Sequence, residues 1–277
     1  MSNNYLDLLN AGDGEAPFIE TGTPDPRVRY YLYRQSSSEP SGSNLPCAGD
    51  ATYDYCYVGN LYWGRGHGDD AGIPNDNTKR TTFGVYPGGG SFDRDLFEQA
   101  RGVSESLEGA GILPILTSSF SNFILAEASV SLNINAGSTV SLLEKGIRAS
   151  MAKATGFVGS LSTINPDTSE DFGATNAQIN SYVNDVISEF NGASNDSERL
   201  AIVAREHYLS TWGNGVEGYN LYKRTGFPVL QSSIRPTGPF PRSFRYPDVE
   251  TENNPNISQQ EVTSRVFWDN NPAGFVD

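Results

Sequence analysis

Residues 175–190 read TNAQINSYVNDVISEF, and their periodicity decides the fold class. Ile179, Tyr182, Val183, Val186, Ile187 and Phe190 fall at i, i+3, i+4, i+7, i+8 and i+11, one face of an amphipathic helix. Thr175, followed three residues later by Gln178, is a capping-box signature that starts this helix. The flanking segments repeat the pattern. In SSFSNFILAEASVSL (118–132), Phe120, Phe123, Ile124 and Leu132 mark an apolar side. Val140, Leu143, Ile147 and Met151 keep that spacing in the next segment, which Gly156 can end. A further helix begins near Asn195, with Glu198 three residues on, and runs through Leu200, Val203, Tyr208 and Trp212. Gly213 and Gly215 interrupt it before VEGYNLYKRT continues, and after Pro228 the chain returns to loop. Helices of ordinary length joined by short loops imply antiparallel pairs. No internal sequence match supports a helical repeat, so any repeat is structural only.

Upstream the texture changes, which divides the chain into a loop-rich part, 1–116, and a helical part with terminal loops, 117–277. Turn signals recur at Gly22–Pro26, Ser36–Gly42 and Tyr86–Gly90. Between them RVRYYLYRQ and TTFGVY read as short strands or extended pieces. The expected fold is therefore mainly α, with long irregular loops and a few short strands.

Composition narrows the function. A chain of 277 residues with a net charge of −14 lacks the basic patch that nucleic acid requires. The same charge disfavours anionic lipid. No apolar run approaches the ~20 residues of a membrane span, and the N-terminus has no signal-peptide pattern. Fourteen Tyr and 14 Phe, set among 29 Gly and 16 Pro, supply many rings near turns. Flat rings bury the carbon–hydrogen faces of sugars or peptides at little entropic cost.

The most chemical string is YVGNLYWGRGHGDDAGIPNDN, residues 57–77. Tyr57, Tyr62, Trp63 and Arg65 form an aromatic and guanidinium cluster among glycines, followed by His67 and Asp69. Rings on such a loop can platform a sugar while Arg, His and Asp bond its hydroxyls. Against this stands the reading that Trp63 merely anchors the loop, since large aromatics are mostly buried. Only two histidines, His67 and His207, are present, too few to favour zinc. Calcium on Asp69, Asp70 and Asp76 does not follow EF-hand spacing. No metal or cofactor is expected. No GxSxG elbow occurs, and neither histidine has an evident Ser or Cys partner in sequence. The 33 acidic residues make some carboxylate pair inevitable, so that signal is empty. Cys47 and Cys56 can close a disulfide worth about 2–3 kcal/mol, or stand as two free thiols.

Taken in order, the blocks resemble a known family. They are DPRVRYYLYRQ (25–35), residues 57–93, SNFILAEAS (121–129), EKGIRASM (144–151), TWGNGVEGYNLYKRTGFPVL (211–230) and FPRSFRYPDVETENNPN (240–256). This series is similar to the SusD/RagB family of nutrient-binding outer-membrane lipoproteins, over its C-terminal half. The closing block is the most specific: Gly215-Val216-Glu217, Lys223-Arg224-Thr225-Gly226-Phe227-Pro228 and the stretch from Arg242 to Glu250. Lys223 stands where the family carries a first Arg. Glu217 can pair with Arg224 or Arg242 and tie helix to loop.

The resemblance implies a tetratricopeptide-like helical scaffold at the outer-membrane surface. It implies capture of oligosaccharides or peptides for a SusC-like TonB-dependent transporter, without catalysis. The rivals are a glycoside hydrolase or lyase-type domain with a site near His67, Asp69 and Asp70, and a purely structural transporter lid. Family members are considerably longer chains. The expectation is therefore an apolar face on the helices of 117–156 left uncovered where further helices pack.

Overall fold

The computed structural model describes residues 1–10, 23–38, 50–51, 59–69, 79–93, 106–132, 134, 138–160 and 173–276. These residues form two compact units, Met1–Ile234 and Arg235–Asp277.

The first unit is built on helices. Ahead of the main bundle lie α1 (Asn3–Leu9), the single turn α2 (Val28–Tyr31) and strands β1 (Leu32–Tyr33) and β2 (Thr82–Phe83). The bundle is α3 (Ser118–Ser131), α4 (Thr139–Gly159), α5 (Asn176–Gly192) and α6 (Asp196–Ser210), with α7 (Gly215–Thr225) against α6. Each bundle helix with a described cap starts on a side chain that accepts an otherwise orphaned backbone N–H. Thr117 takes Phe120, Asn195 takes Glu198 and Asn214 takes Glu217. Thr175 and Gln178 form the reciprocal capping box expected from the sequence. Gly226 ends α7 with φ 75°, the left-handed conformation glycine adopts without a Cβ clash.

The helical core joins Phe123, Ala126 and Val130 of α3 to Leu143, Ile147 and Met151 of α4. It is closed by Tyr182, Val183, Val186 and Phe190 of α5 and Ile202 and Val203 of α6. A second core docks the early segments on the bundle through Tyr5, Leu6, Leu9, Val28, Tyr31, Leu32, Tyr62 and Tyr86 with Leu209. Trp212 stacks on both Tyr5 (centroids 5.1 Å apart) and Tyr31 (5.7 Å).

Between the two cores lies a buried ionic network. Arg27 Nη2 donates to Asp25 at 2.5 Å and to Glu206 at 3.2 Å, and Nη1 donates to Ser150 at 2.9 Å. Tyr182 also donates to Glu206 at 2.9 Å. Every charged member of this cluster has an opposite partner, the condition under which charge survives burial.

Four expectations change. RVRYYLYRQ is half helical turn and half strand, because the Asp25 carboxylate accepts the Arg27 N–H and its carbonyl accepts Val28 N–H, which closes a turn. Only Leu32 and Tyr33 pair in antiparallel register, with Phe83 and Thr82. Gly156 does not end α4, which runs to Gly159; a glycine can sit inside a helix at a cost of about 1 kcal/mol. Ile124 and Leu132 face solvent, whereas Phe120, Phe123, Ala126 and Val130 face inward. Apolar residues surround α3, so periodicity alone could not choose its inner side.

The uncovered apolar surface is therefore narrower than expected. The inner faces of α3 and α4 are closed by α5 and α6, and what stays open is the outer side of α3 with the segment before it.

The second unit is mostly irregular. It holds one short helix, α8 (Asp248–Asn253), inside the stretch after Pro228 that the sequence predicts to be loop. Arg242 fixes it internally, donating to Asp269 at 2.8 Å and to the carbonyls of Asn271 and Pro272.

Candidate functional site

The loop 59–69 is held by a tight turn. Gly59 and Tyr62 exchange backbone hydrogen bonds at 3.3 and 2.9 Å around Asn60 and Leu61, whose φ angles are 55° and 67°. Two consecutive positive φ values suit the tight hairpin turn, and Asn tolerates the conformation far better than Leu. From there the chain runs parallel to the N-terminus, with Arg65 N–H donating to Met1 O at 2.8 Å and Asn3 N–H to Arg65 O at 2.9 Å. A Cβ on Gly64 would lie 2.3 Å from Met1 O, so only glycine permits this approach.

This path separates the expected site residues. Tyr62 and Trp63 turn inward, 2% and 4% exposed. The Arg34 guanidinium lies 5.2 Å from the Tyr62 ring centroid, and that of Arg80 lies 4.9 Å from Trp63's. Trp63 also exchanges hydrogen bonds with Thr81. These two rings act in this structure as anchors and offer no open stacking face. Arg65, His67 and Asp69 are brought together on one loop, with the Arg65 side chain a quarter exposed and that of Asp69 buried. Arg65 Nη1 lies 3.8 Å from Asp69 Oδ2, and Gly68, with φ 75°, shapes the turn between them. Tyr57, Asp70, Asp76, Cys47 and Cys56 lie outside the described residues.

His67 is gripped from both sides. Its Nε2 lies 2.7 Å from Ser2 Oγ and its Nδ1 lies 2.8 Å from the Gln231 carbonyl, which fixes the proton on Nδ1 as donor. The absence of a serine partner inferred from sequence is thus corrected: Ser2 lies 65 residues away, and Gln231 lies 164 away, on the chain after α7. No local pattern announces contacts of such sequence separation.

Polar groups without partners gather on the same segments. Both amide atoms of Asn4, both of Gln231 and the Trp63 indole Nε1 are buried with no hydrogen-bond partner. Each such group costs about 1–3 kcal/mol unless a water or ligand satisfies it. Burial first, then Arg80 and Arg65, lowers the Met1 amine below its usual pKa. Among the described residues no group of three or more His, Cys, Asp or Glu is placed to hold a metal ion.

Elsewhere the closing motifs prove structural. Arg224 grips Glu127 of α3 with two hydrogen bonds and reaches Glu217 only at 4.0 Å. Arg242 is bound inside its own unit. Sequence reasoning missed Glu127, and it missed the exposed rings Phe244, Phe267 and Trp268 of the second unit.

The family described as SusD-like, Susd and RagB outer membrane lipoprotein, matches residues 82–265. That span is about two thirds of the chain and includes α3 to α7 with the Arg224–Glu127 tie. The chain belongs to the SusD-like family. Two crystal structures of SusD homologues from Bacteroides fragilis NCTC 9343 carry the fold. One is 20% identical, with a TM-score of 0.50 over 84% of this chain and 43% of its own. The other is 20% identical, with a TM-score of 0.52 over 92% of this chain and 46% of its own. No match was found among curated protein sequences. The SusD-like chain thus has their mainly helical fold and spans less than half the length of either relative. The loop 59–69 lies outside the family match. No helix among the described residues is long and apolar enough to cross a membrane.

Proposed function

We propose that this SusD-like chain captures oligosaccharide at the cell surface for delivery to a SusC-like TonB-dependent transporter. Family membership carries the proposal. The Arg65 guanidinium, a quarter exposed, would donate to sugar hydroxyls, with the buried Asp69 carboxylate 3.8 Å behind it and His67 holding the loop through both ring nitrogens. The partnerless amides of Asn4 and Gln231 on the adjoining segments are neutral donors and acceptors, the chemistry a hydroxyl-rich ligand complements. Tyr62 and Trp63 support the loop from beneath.

The test is thermal melting of the chain across a panel of soluble glycans and peptides, followed by titration of Arg65→Ala and Asp69→Asn. A ligand at a hundredfold excess over its dissociation constant stabilises by about 2.7 kcal/mol. A glycan that shifts wild type and fails to shift the two variants supports the site. A shift retained by both variants moves the ligand elsewhere, and a shift by peptides alone replaces the ligand class.

One observation favours a second reading, catalysis at His67. The chain from Ser2 Oγ to His67 Nε2, with Nδ1–H held by the Gln231 carbonyl, has the connectivity of an activated serine. In that chemistry Ser2 Oγ attacks an acyl carbon while His67 takes its proton, and the imidazolium then gives that proton to the alcohol or amine that leaves as the acyl C–O or C–N bond breaks. A fluorophosphonate probe distinguishes the readings. Labelling of Ser2 that is lost in His67→Ala favours catalysis, and an unlabelled folded chain removes it.

A further inference from the structure

The second unit is held by polar ties in place of a core. Among its described residues no hydrophobic side chain is buried. The N–H groups of Arg242 and Ser243 donate to Val262 O at 2.8 and 3.1 Å. The Gln259 side chain pairs with the Tyr246 backbone in both directions, at 2.9 and 3.0 Å. With the grip of Arg242 on Asp269, Asn271 and Pro272, these ties bring three separate stretches around one cavity of about 360 Å³. Its size is that of a small-molecule site.

The walls are mixed. Phe240, half-buried, and Val276 give apolar faces, and Thr237 and Thr263 give hydroxyls from two separate segments. Among the described residues neither hydroxyl has a hydrogen-bond partner. Arg242 is the one charged residue of the lining, and its guanidinium is met by Asp269 Oδ2 at 2.8 Å and by two carbonyls. Gly238 leaves the wall bare, since a Cβ there would meet no atom within 4 Å.

We propose that this cavity is a second binding site and that it takes a neutral sugar unit. An anion would have to pull Arg242 away from Asp269 and the two carbonyls. A metal cation would need carboxylates, and none lines the cavity. A hydrocarbon chain would strip water from two threonine hydroxyls and bond neither. A sugar meets both kinds of wall. Its carbon–hydrogen face packs on the Phe240 ring, and its hydroxyls trade hydrogen bonds with Thr237 and Thr263, which donate and accept alike. The site lies wholly within the second unit and does not depend on Arg65 or the loop 59–69.

The experiment is a titration of the full, isotope-labelled chain followed amide by amide in proton–nitrogen correlation spectra. The probes are the methyl glycosides of glucose, galactose, mannose and xylose, with glucuronic acid as the charged comparison. At least one neutral glycoside is expected to shift the amides of Thr237, Phe240 and Thr263, with a dissociation constant of about 1–10 mM. Gly238→Phe sends its side chain into the open space and should weaken this binding at least about tenfold. The pair Thr237→Val with Thr263→Val keeps the shape, removes the hydroxyls and should weaken it likewise. Amides outside the cavity should keep their positions in both variants, which shows that the chain still folds. Arg65→Ala should leave the titration unchanged, so failure of the loop as a sugar site and failure of this cavity are told apart. The proposal is overturned if no neutral glycoside shifts these amides, or if glucuronic acid alone does. Binding that persists in Gly238→Phe, or that is lost in Arg65→Ala, places the sugar elsewhere and overturns it as well.

Discussion

Arg224 and Glu127 meet across 97 residues in a two-pronged ion pair, Nε to Oε1 at 2.6 Å and Nη2 to Oε2 at 2.9 Å. The pair joins α7 to α3, and so ties the most diagnostic motif of the family to the bundle. The neighbouring Lys223 ammonium lies 5.7 Å from the Tyr219 ring centroid.

A double-mutant cycle of Arg224→Ala and Glu127→Ala in urea should therefore give a coupling of about 1–2 kcal/mol. The lower end is expected, because the Arg224 side chain is 43% exposed and water screens the pair. Arg224→Lys should recover less than half of that coupling. Full recovery by lysine would mean that charge alone, without the fork, makes the tie.

Arg27 should be far less forgiving. Its side chain is wholly buried and bonds Asp25, Glu206 and Ser150 at once. Arg27→Met would leave the buried Asp25 carboxylate without its cation and Glu206 with Arg205 alone, a loss of about 3–5 kcal/mol. Urea unfolding monitored by circular dichroism measures it. A loss below 1 kcal/mol would show that the network reorganises around water.

Two glycines should respond in opposite directions to alanine. A Cβ on Gly90 would lie 2.2 Å from the Leu32 backbone nitrogen, so Gly90→Ala must push the turn away from β1 and should cost about 1–3 kcal/mol. Gly156 has open space around it inside α4, so Gly156→Ala should stabilise by about 0.5–1 kcal/mol. The two midpoints, measured side by side, check both; destabilisation at Gly156 would contradict the helical assignment there.

How much of this was legible beforehand differs between scaffold and site. The capping box at Thr175, the cap at Asn195 and the inner face of α5 all depend on residues within a few positions of one another. Local spacing therefore exposes them. The site depends on the opposite kind of relation. Ser2 and Gln231 reach His67 only after the N-terminus and the chain beyond α7 converge on one loop. Trp63 shows the same limit from another side. A ring among glycines reads equally as platform or anchor, and its choice is made by Thr81 and Arg80, 18 and 17 positions further on. Glu127 carries no local signal either, since its partner Arg224 lies 97 positions further on.

His207 provides the sharpest prediction, because no partner compensates its burial. The ring lies 5.5 Å from both Phe120 and Phe123, and neither nitrogen has a hydrogen bond. Burial, with Arg224 adding to it, pushes its pKa down to about 3, although Glu217 Oε1 lies 3.8 Å from Nε2. The folded chain therefore keeps this histidine neutral, whereas the unfolded chain protonates it near pH 6.5. Between those values the unfolded state binds the extra proton, so stability is full above about pH 6.5 and falls as pH drops toward 3. His207→Leu removes the proton acceptor while keeping the apolar contact with the two rings. Its melting midpoint should vary less than that of wild type between pH 6.5 and pH 4.5, a window above most carboxylate titrations. If the two profiles run parallel there, His207 is protonated in the folded chain as readily as in the unfolded one, and Glu217 rather than burial governs the ring.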